Sequence, residues 1–187
     1  MAQQSTPNDT IMESLFEVFR CHGYEGTTLS QLSEVTGLRK SSLYHYFPEG
    51  KVDMVKAVVS YFSGQLQQNV IEPLLDTQKT PQARFSTMVE TLKTFYSNGA
   101  KNCLLNTLSL GEAKEEIRAQ VSKNYFAFLE ALQKLGMEAG LKSNDAKLWA
   151  ERFLVVVEGT LIIQRLTANP LAFDKAMDFE RKQFLSL

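Results

Sequence analysis

Apolar residues recur at steps of three and four along most of this chain, and no stretch sustains strict alternation or carries an Asn-Gly hairpin signal. The pattern predicts an all-α protein. A first helix is expected from about Asn8 to His22, with Ile11, Leu15, Phe16 and Phe19 on one face, Asn8 or Asp9 as cap and Gly23 as stop. Thr28 is placed to cap a second helix, with Gln31 at the capping-box position and Leu29, Leu32 and Val35 as its apolar side. A turn at Thr36-Gly37-Leu38 leads into a third short helix, Arg39 to Tyr46, and Pro48-Glu49-Gly50 breaks the chain again. A long helix then starts near Lys51 (Val55, Val58, Phe62, Leu66, Val70 and Leu74), and Pro73 should kink or end it.

The second half continues the pattern. Thr80-Pro81 opens a helix whose face is Phe85, Met88, Val89, Leu92, Phe95 and Tyr96, and Asn98-Gly99 stops it. A short segment, Asn102 to Leu110, precedes a long helix from Glu112 to about Ala139 with Ile117, Val121, Tyr125, Phe128, Leu132 and Leu135 in heptad-like steps. Ser143-Asn144-Asp145 caps another long helix ending near Asn169-Pro170, and a last one runs from about Leu171 to Phe184.

Composition changes this picture little. The 187 residues are 44% apolar and 22% charged, ordinary for a globular chain. No apolar run approaches the roughly 20 residues of a membrane span. MAQQSTPNDT has neither the basic start nor the apolar stretch of a secretory leader, and two lone cysteines, Cys21 and Cys103, make no disulfide framework; a cytoplasmic protein is expected. Two histidines without metal-ligand spacing, and the lack of a Gly-rich phosphate loop or nucleophile-elbow motif, argue against an enzyme; no catalytic residue, metal or cofactor is expected.

The chemistry lies in Thr27 to Lys51, which reads as a helix-turn-helix. In such a unit the second helix enters the major groove and its first residues meet base edges. Arg39 and Lys40 stand there; an Arg fork on guanine O6 and N7 is worth about 1–3 kcal/mol of discrimination. Ser41 and Ser42 can touch bases or phosphates, and Tyr44 and His45 follow one turn later, with Tyr44 suited to a phosphate. Thr28 and Lys51 would grip phosphates on either side. Two observations pull the other way: a basic helix start with serines is often a solvated face, and residues 1–56 hold five basic against seven acidic side chains, a net of −2. Two copies are needed for useful affinity.

Residues 11–58 resemble the N-terminal domain of TetR-family transcriptional regulators. The likeness rests on Phe19, Gly23-Tyr24, Thr27-Thr28, Leu32, Gly37, Leu43-Tyr44-His45-Tyr46-Phe47 and Lys51. Ser33 and Thr36 depart from the small alanines usual there, and Lys51 follows Phe47 by four residues rather than three. That spacing is similar to the LmrA/YxaF-like subgroup, where Phe-Pro-Gly-Gly-Lys is usual and Glu49 here replaces the first glycine. Val157-Glu158-Gly159-Thr160-Leu161 through Asn169-Pro170 and Phe173 looks similar to it too, whereas Asn102 and Leu104 around Cys103 depart from its Gly-Cys-Pro-Leu motif.

The resemblance implies a helix-turn-helix DNA-binding domain over residues 1–57 and a helical ligand-binding and dimerisation domain over 58–187. It implies a ligand-responsive regulator, a repressor released from double-stranded, pseudo-palindromic operator DNA by a small apolar or aromatic effector. The residues assigned to the effector are Phe62, Leu66, Met88, Leu92, Phe95, Cys103, Leu108, Phe126, Trp149 and Phe153; an aromatic stripe at this spacing is usually core, and for any single one of them packing is the favoured reading. Cys103 as a redox or electrophile sensor is a further alternative, with Lys101 the only close cation in sequence. A homodimer is expected through Val156, Val157, Gly159, Thr160, Leu161, Gln164, Phe173 and Met177 on the last two helices. A helical small-molecule binder without specific DNA binding, or an activator, are the rival readings.

Overall fold

The Asn8 side chain accepts from the Ile11 N–H at 3.0 Å, satisfying one of the amides that a helix start leaves open. The helix it opens, α1, runs Asp9–Gly26 in the computed structural model, which describes residues 8–109 and 114–187. Gly23 does not stop α1 as expected. It takes φ +68 inside the helix, kinks it, and the chain continues helical for three more residues. Next come α2 (Leu29–Thr36), α3 (Lys40–Tyr46) and α4 (Lys51–Leu66). Pro73 has no amide hydrogen to return to the carbonyl of Asn69. The preceding turn, Gln67–Ile71, is widened to a π-helix and runs into the single-turn α5, Glu72–Leu75.

The remaining helices are α6 (Pro81–Phe95), α7 (Leu104–Ser109), α8 (Lys114–Glu138), α9 (Ser143–Thr167) and α10 (Ala172–Leu185). No strand occurs among the described residues, so the fold is all-α. Thr80 caps α6 by accepting from Ala83 N–H at 3.2 Å, with Pro81 behind it as the spacing predicts. The cap of α9 differs: Lys142 stands there without a side-chain bond and Ser143 is already helical. Leu110 and Glu112, where a short segment is expected to end and a long helix to begin, lie outside the described residues.

Two compact units divide the chain. One holds the described residues up to Gly64 together with Leu104–Ser122; the other holds Gln65–Cys103 with Lys123–Leu187. The sequence suggests a contiguous split at residue 57, whereas α7 groups with the first unit by packing on α1. There Thr107 Oγ1 donates to the Arg20 carbonyl at 3.3 Å, and a Cβ on Gly23 would meet the Thr107 methyl at 3.4 Å. Leu15, Phe19, Leu32, Leu43, Met54, Val55 and Val58 fill this unit's interior. Phe16 stacks on Phe62 at 6.0 Å, and Ser63 Oγ accepts from Gln120 Nε2 at 2.9 Å.

The second unit is built around rings. Phe85 lies 4.4 Å from Phe184 and 5.3 Å from Phe153, and Trp149 lies 4.9 Å from Phe184. Burying each such side chain contributes about 1.5–3 kcal/mol. Charged pairs tie the helices together around them. Lys93 reaches Asp174 at 2.6 Å and Asp178 at 3.1 Å; Arg152 holds the buried Glu180 through two bonds of 2.6 and 2.7 Å. The buried Arg84 donates to the Leu74 carbonyl at 2.7 Å and pairs with Glu138.

Candidate nucleic-acid interface

The Gly-Tyr-x-x-Thr-Thr pattern turns out to be one piece of local machinery. Gly23 supplies the left-handed kink, and Thr27, buried, donates from its hydroxyl to the Gly23 carbonyl at 2.5 Å, closing the end of α1. Thr28 begins α2 with both halves of a capping box. Its hydroxyl accepts from Gln31 N–H at 3.2 Å, and Gln31 Oε1 accepts from Thr28 N–H at 2.8 Å. The same hydroxyl donates to Gln31 Oε1 at 2.9 Å, so Thr28 is occupied in starting the helix.

Lys51 stands at the first position of α4 but reaches back to this junction. Its ammonium donates to the Thr27 carbonyl at 3.1 Å and lies 4.3 Å from the centre of the Tyr24 ring. It therefore fastens α4 to the α1–α2 corner, with the remaining ammonium hydrogens left for other acceptors. Sequence reasoning named Lys51 and Tyr24 separately and missed that they meet; so did it miss Thr27 as the acceptor. The 24-residue separation between Thr27 and Lys51 hides the pairing from any local pattern.

At α2's end, Gly37 takes φ +67 and its N–H bonds to the Glu34 carbonyl, turning the chain toward α3. Arg39 is the N-cap of α3, in extended conformation, so it stands just before the helix rather than within it. Arg39, Lys40, Ser41, Tyr44 and His45 are all exposed, Ser42 is half-buried, and Arg39 and Lys40 enter no ion pair among the described residues. Leu43 and Phe47, on the opposite side, are buried and anchor the helix to the unit's interior. Tyr44 keeps 47% of its surface and its ring rests against Gly50, where a Cβ would come within 3.2 Å of Cε1. The glycine of the longer Phe-Pro-Glu-Gly-Lys spacing thus makes room for that ring. No acidic residue falls between Arg39 and Pro48, so this face is locally cationic although residues 1–56 are not.

The residues expected to meet an effector are divided between the two units. Phe62 and Leu108 belong to the first unit and are buried there. Met88, Leu92 and Cys103 are buried in the second unit, Leu66 and Phe95 are half-buried, and Phe126 is 61% exposed. Trp149 and Phe153 are members of the ring cluster with Phe85 and Phe184, so their contacts are those of a packed core. The expected dimer residues also separate. Val157, Leu161, Gln164, Phe173 and Met177 are buried within the second unit, while Val156, Gly159 and Thr160 are half-exposed. Burial of the first five has a plain cause: α9 and α10 pack on each other, and both apolar stripes are used in doing so. The exposed apolar side chains of α9 are instead Leu148, Val155, Ile163 and Leu166, and those of α10 include Phe179.

Residues 11–58 match the family model described as bacterial regulatory proteins, tetR family. Across 167 residues, 87% of each chain, the sequence is 22% identical to the HTH-type transcriptional regulator YxaF of Bacillus subtilis. A TetR transcriptional regulator from Legionella pneumophila superposes with a TM-score of 0.81 at 17% identity, covering 98% of this chain and 99% of that one. A cysteine-substituted form of the TetR-family regulator CifR, complexed with 26-base-pair operator DNA, superposes with a TM-score of 0.69 at 18% identity over 95% and 98% of the two chains. Residues 11–58, the helix-turn-helix head described above, are thus the part of the chain that the tetR-family model describes, and the whole chain shares the fold of solved TetR regulators.

Proposed function

We propose that the protein is a homodimeric repressor that leaves its operator when a small apolar or aromatic effector binds. The observation that carries this reading is the exposed, locally cationic face of Arg39, Lys40, Ser41, Tyr44 and His45 on an otherwise acid-rich head. A single such face grips weakly. Two of them, held by a two-fold axis over successive major grooves of a pseudo-palindrome, add their binding energies. Arg39 and Lys40 read base edges, Tyr44 and Ser41 meet phosphates, and Lys51 braces the corner while offering its remaining charge to the backbone.

The pairing surface is the exposed apolar stripe of α9. The exposed Leu148, Val155 and Leu166 and the half-exposed Gly159 and Ile162 follow steps of three and four, or of seven, and Gly159 has open space around its Cα. Phe179 extends the stripe on α10. Of the positions first expected there, Gly159, Val156 and Thr160 stay in the proposal. The effector contacts the second unit along α6, where Met88, Leu92 and Phe95 share a face. It acts on the head through α4, which starts at Lys51 in the first unit and ends in the second. The effector must bind the released state more tightly than the DNA-bound one; affinity alone moves nothing.

The test is a mobility shift of the purified protein on the intergenic DNA beside its own gene, at two salt concentrations and with competitor DNA. A specific complex that weakens steeply with salt supports the reading. Apolar and aromatic compounds are then screened for release, with the single Trp149 as a fluorescent reporter. In a reporter strain the protein should lower transcription. No complex at low salt, with no sequence recovered from a random library, would overturn the proposal.

A further inference from the structure

The seven-residue α3 has no side-chain cap of its own, since Arg39 makes no capping bond. Its start is held from outside, by two hydroxyls of α2 that grip one peptide group each. Ser33 Oγ donates to the Leu38 carbonyl. Thr36 Oγ1 accepts from the Leu38 N–H at 3.3 Å while donating to the Leu32 carbonyl at 2.6 Å, so the hydroxyl is itself fixed. Both polar groups of Leu38 are thus claimed by side chains of the helix before the turn. These bonds are partly buried, which favours them over exchange with water. Ser33 and Thr36 are also the two places where the sequence departs from the small alanines of the resemblance, and an alanine could form neither bond.

The Leu38 carbonyl belongs to the peptide plane that leads into Arg39. That plane is held on one side of the Arg39 Cα, and on the other the Arg39 carbonyl accepts from Ser42 and Leu43 N–H at 2.9 and 3.1 Å; together they set φ of Arg39, at −66 here, and with it the direction in which the Arg39 side chain leaves the turn. From this geometry we infer that Ser33 and Thr36 are positioning residues for sequence reading. They aim Arg39 and Lys40 and so govern discrimination among sequences, while the phosphate grip of Tyr44 and Lys51 does not depend on them. This rests on the DNA-reading function proposed above. Neither hydroxyl touches DNA in this scheme; each acts through the Leu38 peptide.

The experiment uses the full chain as Ser33→Ala, Thr36→Val and Thr36→Ser variants. The probes are the duplex recovered by random-library selection with the wild type and a scrambled duplex of equal length. Melting temperature confirms that each variant is folded. Ser33→Ala and Thr36→Val should each cut the ratio of selected to scrambled affinity by about tenfold, the scale of one misaimed bidentate base contact. Affinity for the scrambled duplex and its salt dependence should stay as in the wild type, and Thr36→Ser, which keeps the hydroxyl, should restore the ratio. Amide exchange of Leu38, measured without DNA, should be slow in the wild type and in Thr36→Ser and faster in Thr36→Val. Folded variants that discriminate as the wild type does, or lose both affinities equally, overturn the inference. A wild type that binds neither duplex overturns the DNA-reading function instead, and equal Leu38 exchange in all forms then overturns the clamp independently.

Discussion

Replacing Gln164 with Leu separates two roles that the chain's periodicity confuses. By pattern Gln164 sits on the face expected to pair with a second copy. In the fold its amide bridges the second unit internally: Nε2 donates to the Asn98 carbonyl at 2.9 Å, and Oε1 accepts from the Phe173 N–H at 2.9 Å. That N–H belongs to the first turn of α10, where no intrahelical acceptor exists, and Leu171 offers no side-chain cap. Gln164 therefore caps α10 from α9. Leucine keeps most of the volume but orphans the buried Phe173 N–H, costing about 1–3 kcal/mol, and forfeits a part-exposed bond to Asn98 worth about 0.5–1.5 kcal/mol. The sum is about 1.5–4.5 kcal/mol. At about 2–4 °C per kcal/mol for a chain of this size, the melting temperature should fall by roughly 3–18 °C. The assays are thermal circular dichroism at fixed protein concentration and sedimentation velocity at ambient temperature. The expected result is a lower melting temperature with the dimer retained. An unchanged melting temperature together with a weakened dimer would refute the capping role and return Gln164 to the interface.

The complementary change is Val155→Glu on the exposed stripe. It should weaken the dimer by about a hundredfold in sedimentation, through an unpaired charge at the contact, and leave the helical signal intact; a dimer of wild-type strength would remove α9 from the interface. In the head, Tyr44→Ala should lower affinity for all duplexes alike, whereas Arg39→Ala should also flatten sequence preference in a binding-site selection, by about 1–3 kcal/mol at one base pair. If Arg39→Ala leaves preference untouched, the recognition face is assigned wrongly. The hydrogen bond to Asp174 raises the Lys93 pKa above the ordinary lysine value of 10.5, against the lowering effect of burial and with further help from Asp178. A folded pKa above the unfolded one gives stability that is whole below the ordinary lysine range and lost as pH climbs through the folded value. Wild-type melting temperature should therefore drop more steeply above that range than that of Lys93→Met, and parallel profiles would sink the idea.

Much of the head was legible because its determinants are local. A capping box spans four residues, a left-handed glycine one, and the apolar positions of α1 to α3 repeat within a turn, so Asn8, Thr28, Gln31 and Gly37 are visible in the string itself. Gly23 shows the limit. A glycine marks a break in helical conformation, but whether the chain then leaves the helix or resumes it depends on what packs alongside, here Thr107 of α7. Lys51 shows the same limit at longer range, since its partners Tyr24 and Thr27 are neighbours only after α1 to α4 have folded.

In the second half, periodicity determined that α6, α8, α9 and α10 exist and which residues are apolar, but not which apolar face meets which. A helix carrying Val155, Val156 and Val157 in succession offers apolar side chains in several directions, and burial alone decides among them. Packing against α10 took Val157, Leu161 and Gln164 inward and left Val155 and Leu166 outside. The ring cluster took Trp149 and Phe153 in the same way. The sequence by itself determined helical class, the helix-turn-helix and the polar face of α3, because these follow from propensity, capping and spacing within one or two turns. Only the tertiary structure decided the uses of the remaining apolar faces and the partners of Lys51, Gln164 and Leu38. Those are set by contacts between segments tens of residues apart, or by which of several similar turns the chain adopts.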